Sequence, residues 1–287
     1  MAEQLLHIHL ESVDSTNNYL RTFQPSEECP ITLVTADFQT SGRGQRGNSW
    51  ESEVGKNIVY SLLVHPTTIR PSQMFAISEV AALSVCEALD PLRPSGTSPI
   101  MGRILDTERL ASSTSTDKCD QSLPITGEVS RSDGEGLFSI KWPNDIYYGN
   151  RKIAGILIET DIMGGRIANA IIGVGININQ REFLSDAPNP ISLFQILGKE
   201  TDRDLILSRI MQCFTELYAL LQQGDLSTLH TRYMQRLYRR EGFYRYADDK
   251  GTFSARIVNI EPSGHYILED TEGHQRRYAF KEVSFCL

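Results

Sequence analysis

A glycine-rich segment carries the clearest chemical signal in the sequence. Residues 39–50 read QTSGRGQRGNSW, so three glycines are interleaved with Arg43 and Arg46. Glycines let the backbone approach an anion closely and present its amides. Arginine can grip a carboxylate or a phosphate through two hydrogen bonds. The pattern predicts an anion-binding loop, with a glycine-rich hairpin that carries solvated arginines as the alternative.

Two familiar glycine motifs fit this segment poorly. Residues 42–47 match the dinucleotide pattern G-x-G-x-x-G, but that site needs a helix directly after the glycines. Here a strand pattern follows instead. A phosphate-binding P-loop needs a lysine where this sequence has Asn48. We therefore exclude both motifs.

A second polar group follows a predicted strand. The sequence KWPND (141–145) ends that strand at its proline, which leaves Asn144 and Asp145 at a strand end. Lys152 opens the next strand after a Gly-Asn turn. A polar turn and a solvated lysine are the ordinary explanations. Ligand-binding groups at a strand end are the alternative.

Two further segments offer polar groups. The glycines of GVGININ (173–179) leave open space over a sheet face, and Asn177 and Asn179 offer amides. Near the N-terminus, residues 14–18 read DSTNN, which is typical of a helix start with Ser15 or Thr16 as the N-cap. The residues alone favour that cap over a binding role.

These segments must be positioned by a sheet and its helices. Strands are predicted from β-rich apolar runs at 31–38, 57–64, 137–142, 152–160 and 167–178. Tight glycine turns at 149–150 and 164–165 make neighbouring strands antiparallel. Helical spacing predicts helices over 72–89 and 202–223 and a shorter one over 226–238. The fold class is therefore α+β, a mixed or antiparallel sheet flanked by helices.

The C-terminal part and one internal segment follow other patterns. After residue 240 a period-two apolar pattern with three turns predicts short strands, enough for a small β-barrel. We divide the chain into a larger domain, 1–238, and a barrel domain, 239–287. Residues 91–136 are rich in Ser, Thr, Gly and Pro with little periodicity. They predict a flexible surface insertion rather than a functional lid.

Composition and charge narrow the classes of function. The 287 residues carry a net charge of -8, and residues 201–287 are neutral, so the larger domain is acidic. This opposes non-specific binding of nucleic acid. No apolar run approaches the ~18 residues that cross a membrane, and no secretory signal is visible. Five scattered cysteines without a C-x-x-C pair favour a reducing cytoplasm over disulfides or zinc.

Taken in order, four segments resemble biotin protein ligases, which attach biotin to carboxylase carrier domains. They are DSTNNYL (14–20), TADFQTSGRGQRGNSW (35–50), KWPNDIYYGNRKIAGILIE (141–159) and GVGININ (173–179). The resemblance implies a catalytic domain similar to that of class II aminoacyl-tRNA synthetases, plus a small C-terminal SH3-like β-barrel. It also implies two steps. The biotin carboxylate attacks the α-phosphate of MgATP to give biotinyl-5′-AMP and pyrophosphate, and a carrier lysine then takes the biotinyl group and releases AMP.

The resemblance assigns roles to individual residues. Lys152 and Arg43 are the expected catalytic pair, because joining two anions requires positive charge where they meet. The expected biotin-binding residues are Ser15, Thr16, Asn17, Gln39, Arg43, Gly44, Gln45, Lys152, Gly173 and Gly175. The expected ATP- and adenylate-binding residues are Arg43, Arg46, Trp50, Asn144, Asp145, Lys152 and Asn177. Asp145 is also the expected Mg²⁺ ligand.

The sequence departs from the family pattern at two places. Gln45 stands where members often carry an arginine, and residues 91–136 interrupt a usually shorter connection. Some members begin with a helix-turn-helix domain that represses biotin synthesis. Ser15 stands too close to the N-terminus for such a domain, so the resemblance is to the monofunctional form.

The expected partners are biotin, ATP with Mg²⁺ and a biotin carboxyl carrier domain, without nucleic acid or a membrane, in the cytoplasm. A homodimer stays open. One alternative is a lipoate or octanoate ligase or transferase of the same fold, although polar groups at Ser15, Thr16 and Gln39 suit a ureido ring better than an acyl chain. The other alternative is a non-enzymatic biotin- or nucleotide-sensing protein.

Overall fold

The structure is a computed structural model that describes residues 5–24, 30–44, 49–92, 137–185, 187 and 189–286. Gln45, Arg46 and nearly all of the predicted insertion (93–136) lie outside the described residues. The described chain forms a seven-stranded sheet with helices packed on it, followed by a five-stranded sheet. Within these residues, no helix is long and apolar enough to span a membrane.

The larger sheet is mixed, as predicted. Its strands are β1 (Leu5–Val13), β2 (Ile31–Gln39), β3 (Ile58–Val64), β4 (Phe138–Lys141), β5 (Asp145–Tyr148), β6 (Arg151–Met163) and β7 (Arg166–Ile176). Their spatial order is β1-β2-β3-β7-β6-β5-β4. β1 and β2 are parallel, and every other neighbouring pair is antiparallel. Strand β1 was not among the predicted elements.

Five α-helices accompany this sheet in the described ranges. They are α1 (Thr16–Thr22), α2 (Phe75–Leu89), α3 (Leu193–Leu197), α4 (Arg203–Gln223) and α5 (Leu226–Gln235). A 3₁₀ turn, Pro71–Gln73, precedes α2, so this helix begins later than predicted. The Asp202 side chain caps α4 by accepting hydrogen bonds from the backbone N–H groups of Asp204 and Leu205. Gly224 ends the helix with a positive φ of 78°.

Helix α5 ends three residues before its predicted limit because the chain pairs with β4. The backbone N–H of Ile140 donates to Arg236 O, and Tyr238 N–H donates to Ile140 O. Leu237 and Tyr238 are buried beside the sheet. A residue that pairs with a strand cannot also continue a helix, so tertiary contacts override the helical pattern here.

The two faces of the sheet are covered by different helices. Alternate side chains of a strand point to opposite faces. Leu62 of β3 belongs to the large core that includes α2 and α4. Leu63, the next residue, packs instead with Leu20 of α1. The face that carries α1 is thus left open beyond this short helix, whereas the other face is closed by the longer ones.

The C-terminal strands form an open antiparallel sheet. They are β8 (Tyr244–Asp248), β9 (Gly251–Ile260), β10 (Tyr266–Asp270), β11 (Gln275–Tyr278) and β12 (Ser284–Phe285), in the order β11-β10-β9-β8-β12. Strands β11 and β12 stand at its two edges, so the closed barrel predicted from the sequence is not confirmed. This sheet packs on the larger one. Trp142 stacks on Tyr266 with ring centroids 4.7 Å apart, and its Nε1 donates to Gly264 O at 3.2 Å.

Candidate active site

A cavity of about 870 Å³ gathers most of the residues that the sequence singles out. It opens on the face of the larger sheet that carries α1. Its walls include twelve of the predicted site residues: Ser15, Thr16, Asn17, Gln39, Arg43, Gly44, Trp50, Asp145, Lys152, Gly173, Gly175 and Asn177. Asn144 is buried and does not line the cavity. Gln45 and Arg46 fall outside the described ranges.

One end of the cavity is a cluster of buried hydroxyl and amide groups. Gln39 Oε1 accepts hydrogen bonds from the backbone N–H of Thr16 at 2.8 Å and from its hydroxyl at 3.0 Å. Ser61 Oγ lies 2.7 Å from Thr16 Oγ1 and 2.6 Å from Asn17 Oδ1. Thr16 and Asn17 are 2% and 3% exposed. This end of the cavity therefore presents neutral polar groups that are hydrogen-bonded to one another.

Ser15 holds the N-cap position of α1 without capping it. Its backbone is extended, with φ of -157°, but its side chain makes no cap hydrogen bond. The side chain is 2% exposed and lines the cavity. The predicted helix start with Ser15 at the N-cap position is therefore confirmed, but the side chain does not make the capping hydrogen bond. The hydroxyl of Thr16 also has other partners.

A carboxylate–ammonium pair lies toward the other end. Lys152 Nζ lies 2.8 Å from Asp145 Oδ2. The strand register sets this pair, because Lys152 stands opposite Tyr147 near the start of β6, while Asp145 begins the neighbouring β5. Lys141, at the end of β4, lines the same region. Burial lowers the pKa of Lys141; the charge of Asp145 opposes this and that of Lys152 adds to it.

Trp50 lies between these ends, against a pair of glycines. Gly155 and Gly175 face each other across β6 and β7. A Cβ on Gly175 would lie 2.4 Å from Cε2 of the indole, and a Cβ on Gly155 would lie 2.9 Å from its Cζ3. The glycines are thus needed for close packing of the ring. The indole Nε1 is buried and has no hydrogen-bond partner among the described residues, which leaves a donor for a ligand.

Arg43 reaches the cavity from the glycine-rich segment. Its guanidinium donates to Asn18 Oδ1 at 2.8 Å and to Glu159 Oε1 at 3.3 Å. Glu159 also pairs with Arg21 and accepts a hydrogen bond from Asn17 Nδ2 at 3.0 Å. Arg43 and Lys152 therefore share one cavity but have different carboxylate partners.

Sequence reasoning missed several residues of the cavity region. They are Ser61, Lys141, Tyr147, Glu159, Phe280 and Lys281. Lys141, Tyr147 and Glu159 lie inside the 141–159 segment that carries the resemblance, so a signal was present. Phe280 and Lys281 come from the segment between β11 and β12. Lys281 has a positive φ of 73°, which is unusual for a residue other than glycine.

Asp145 is the candidate metal ligand, and its surroundings limit what it can hold. Mg²⁺ is usually bound by one or two carboxylates together with phosphate oxygens and waters. Asp145 supplies one carboxylate, and the described ranges contain no group of three or more side chains suited to holding a metal. This donor set fits an ion that arrives with a nucleotide's phosphates.

Comparison with known proteins defines the class. The sequence profile of the Biotin/lipoate A/B protein ligase family matches residues 9–177. This range contains the polar cluster, the glycine-rich segment, the Asp145–Lys152 pair and the glycines of β7. The chain therefore belongs to the biotin/lipoate protein ligase family.

Similar curated proteins are named as ligases, some of them as biotin ligases. The chain is 26% identical over 277 residues to the bifunctional ligase/repressor BirA of Bacillus spizizenii, covering 95% of this chain and 72% of that protein. It is 26% identical to the bifunctional ligase/repressor BirA of Escherichia coli over 226 residues, covering 78% of this chain and 57% of that protein. It is 25% identical to the biotin–[acetyl-CoA-carboxylase] ligase of Paracoccus denitrificans, covering 93% and 95%. The chain thus spans about 57–72% of these two bifunctional relatives.

Solved structures share the fold. The biotin protein ligase of Aquifex aeolicus in complex with biotin and ATP superimposes with a TM-score of 0.69 at 24% identity, covering 97% of each chain. The biotin protein ligase of Leishmania major in complex with biotinyl-5-AMP superimposes with a TM-score of 0.51 at 21% identity, covering 96% of this chain and 98% of that one. These likenesses confirm the predicted mixed sheet flanked by helices.

Proposed function

We propose that the chain is an ATP-dependent biotin protein ligase. It activates biotin as biotinyl-5′-AMP and transfers it to one lysine of a biotin carboxyl carrier domain. The observation that carries this proposal is a single cavity that joins a buried, neutral polar cluster to a cationic cluster by way of an aromatic ring. Names of similar proteins support the same reaction.

The polar cluster suits the ureido ring of biotin. That ring presents two N–H donors and one carbonyl acceptor. Thr16, Asn17 and Gln39, with Ser15 beside them, provide complementary groups within the buried end. The dithiolane ring of lipoate and the alkyl end of octanoate offer these groups no comparable hydrogen-bond partner, whereas a ureido ring does. The cluster therefore favours biotin over lipoate or octanoate.

The cationic cluster suits the adenylation step. A biotin carboxylate oxygen forms a bond to the α-phosphorus of ATP, and the bond from that phosphorus to the bridging oxygen of pyrophosphate breaks. Lys152 reduces the repulsion between the two anions and stabilises the charge that develops. Arg43 adds positive charge from the glycine-rich segment. Asp145 would hold Mg²⁺ together with phosphate oxygens, and that ion would neutralise part of their charge.

In the proposed complex, the adenine of the nucleotide lies next to Trp50. An aromatic ring is a suitable neighbour for adenine, and no described residue accepts a hydrogen bond from the indole N–H. Asn177 Nδ2 donates to Ile191 O, but its buried Oδ1 has no hydrogen-bond partner within the described part of the chain. Both unpaired atoms are candidates to hydrogen-bond the nucleotide.

In the transfer step, the neutral amine of the carrier lysine attacks the biotinyl carbonyl carbon. The bond from that carbon to the phosphate oxygen breaks, the amine loses a proton, and AMP leaves. The C-terminal sheet is proposed to be the SH3-like unit of the family, with the domain boundary near residue 239. Its Phe280 and Lys281 reach the cavity, where they would meet the carrier.

The test is mass spectrometry of a purified carrier domain incubated with this protein, MgATP and biotin. We expect one added biotinyl group, dependent on ATP and lost when the acceptor lysine of the carrier is replaced by arginine. Parallel reactions with lipoate and octanoate measure the choice of acid. Equal or greater modification by either acid would reject the proposed substrate, and no modification by any of the three would reject the proposed activity.

A further inference from the structure

Lys141 differs from Lys152 and Arg43, the two expected catalytic cations, in having no anionic partner among the described residues. Lys152 is paired with Asp145, and Arg43 with Glu159. Over the residues that the structure describes, no carboxylate oxygen lies within 4 Å of Lys141 Nζ. The side chain is nevertheless partly buried. A partly desolvated charge without a counter-ion is costly, so binding an anion there would be favourable.

The ammonium of Lys141 is held in place by neutral groups. Its Nζ donates to Tyr147 Oη at 3.2 Å, 4.9 Å from the centroid of that ring and 5.0 Å from the centroid of Phe285. An ammonium has three donors. Tyr147 takes one of them and leaves others for an anion in the cavity.

The strand order sets the position of Lys141 relative to the other groups. The polar cluster lies over β2, β3 and β7, Trp50 lies over β7 and β6, and Lys152 is on β6. Lys141 is on β4, at the sheet edge, three strands from β7. At about 4.8 Å per strand this is roughly 14 Å. A ligand that begins in the polar cluster and passes Lys152 would bring its last part to Lys141.

We propose that Lys141 binds the pyrophosphate half of ATP and the pyrophosphate released from it. This inference rests on the proposed function. When the bond between the α-phosphorus and the bridging oxygen breaks, the electron pair leaves with pyrophosphate. The leaving group thereby gains negative charge, which Lys141 Nζ stabilises directly. Lys141 is thus assigned to the leaving group, and Lys152 to the α-phosphate.

The test compares Lys141→Met with the wild-type protein in three measurements. The first is the affinity for inorganic pyrophosphate, from thermal-shift titration and from inhibition of adenylation. The second is the adenylation rate with its KM for ATP. The third is single-turnover transfer from chemically prepared biotinyl-5′-AMP to the carrier. Lys56→Met is the matched control, because Lys56 pairs with Glu200 outside the cavity.

We expect Lys141→Met to weaken pyrophosphate binding and slow adenylation by roughly 10- to 100-fold, the range for a charge-assisted hydrogen bond. Transfer from prepared biotinyl-5′-AMP should stay within about threefold, since pyrophosphate has already left. Unchanged pyrophosphate binding, or transfer reduced as much as adenylation, would overturn the proposal.

Two further comparisons keep the test decisive. If Lys141→Met does not fold, Tyr147→Phe removes the hydrogen bond that orients the ammonium and should still weaken pyrophosphate binding by a few-fold; no change there would reject the inference. Pyrophosphate binding needs no turnover. A wild-type protein that binds pyrophosphate through Lys141 but does not biotinylate the carrier would therefore refute the ligase proposal and not this one.

Discussion

Two glycines of β7 allow the polar cluster and the Trp50 region of the cavity to be perturbed separately. Gly173 and Gly175 point to the same face of the sheet, two residues apart. A Cβ on Gly173 would lie 2.1 Å from Asn17 Oδ1, whereas one on Gly175 would lie 2.4 Å from the Trp50 ring. Both distances are far below contact distance, so each substitution to alanine must displace its neighbour.

The size of the effect follows from what holds each neighbour. Asn17 is fixed by hydrogen bonds to Ser61 at 2.6 Å and Glu159 at 3.0 Å, so displacing it breaks at least one of them. Overpacking of this kind costs about 1–3 kcal/mol, or roughly 5- to 150-fold in affinity. We expect Gly173→Ala to lose that much affinity for biotin. Gly175→Ala should lose a similar amount for ATP, because the indole must move.

Calorimetric titration with biotin and the KM for ATP measure the two effects independently. In Gly173→Ala the KM for ATP should stay within about threefold of the wild-type value, and in Gly175→Ala the affinity for biotin should do so. Gly198→Ala is the control. Gly198 has a φ of 71°, and a Cβ added there would meet nothing within 4 Å, so alanine strains the backbone outside the cavity. Biotin affinity unchanged in Gly173→Ala, or equal losses for both ligands in both variants, would refute this division of the cavity.

Three further predictions concern catalysis, pH and the insertion. Lys152→Ala should slow adenylation by two to three orders of magnitude, about 3–4 kcal/mol of transition-state stabilisation, in a pyrophosphate-release assay. The hydrogen bond to Glu79 raises the pKa of His230 above 6.5, so its stabilising contribution is present at about pH 6 and lost as the pH rises through the folded-state value. His230→Gln should therefore destabilise more at about pH 6 than at about pH 8 in urea unfolding. Replacing residues 93–136 by a short linker should leave adenylation within about threefold of wild type; a larger loss would favour a functional lid.

Cavity residues could be predicted from the sequence where they belong to a short motif of functional residue types. Trp50 and the glycines of β7 belong to short motifs, and the residue types in these motifs point to a binding site without any knowledge of the fold. Ser61 and Glu159 could not be found in this way. Each acts through contact with Asn17, which is separated from Glu159 by 142 positions. Nothing local distinguishes them from an ordinary strand serine and a surface glutamate.

Elements whose form depends on distant pairing were also hard to predict. Strand β1 has the alternating pattern of a half-buried strand, but its partner β2 lies parallel to it and beyond α1. Helix α5 has a helical pattern through Tyr238, and pairing with Ile140 ends it earlier. The C-terminal strands were found, but whether they close depends on the pairing of the two-residue β12, which joins β8 alone.

Strand order explains how distant motifs make one site. Strand β3 pairs with β7 rather than with β4, so the N-terminal cluster meets the glycines of β7 directly. The connection from β3 to β4 passes through α2 on the opposite face, where Cys86 Sγ donates to Phe138 O at 3.5 Å. Residues added to that connection need not alter the order of strands across the cavity. The same order that brings Asn17 to Gly173 therefore also determines that Lys141, on the edge strand, stands farthest from it.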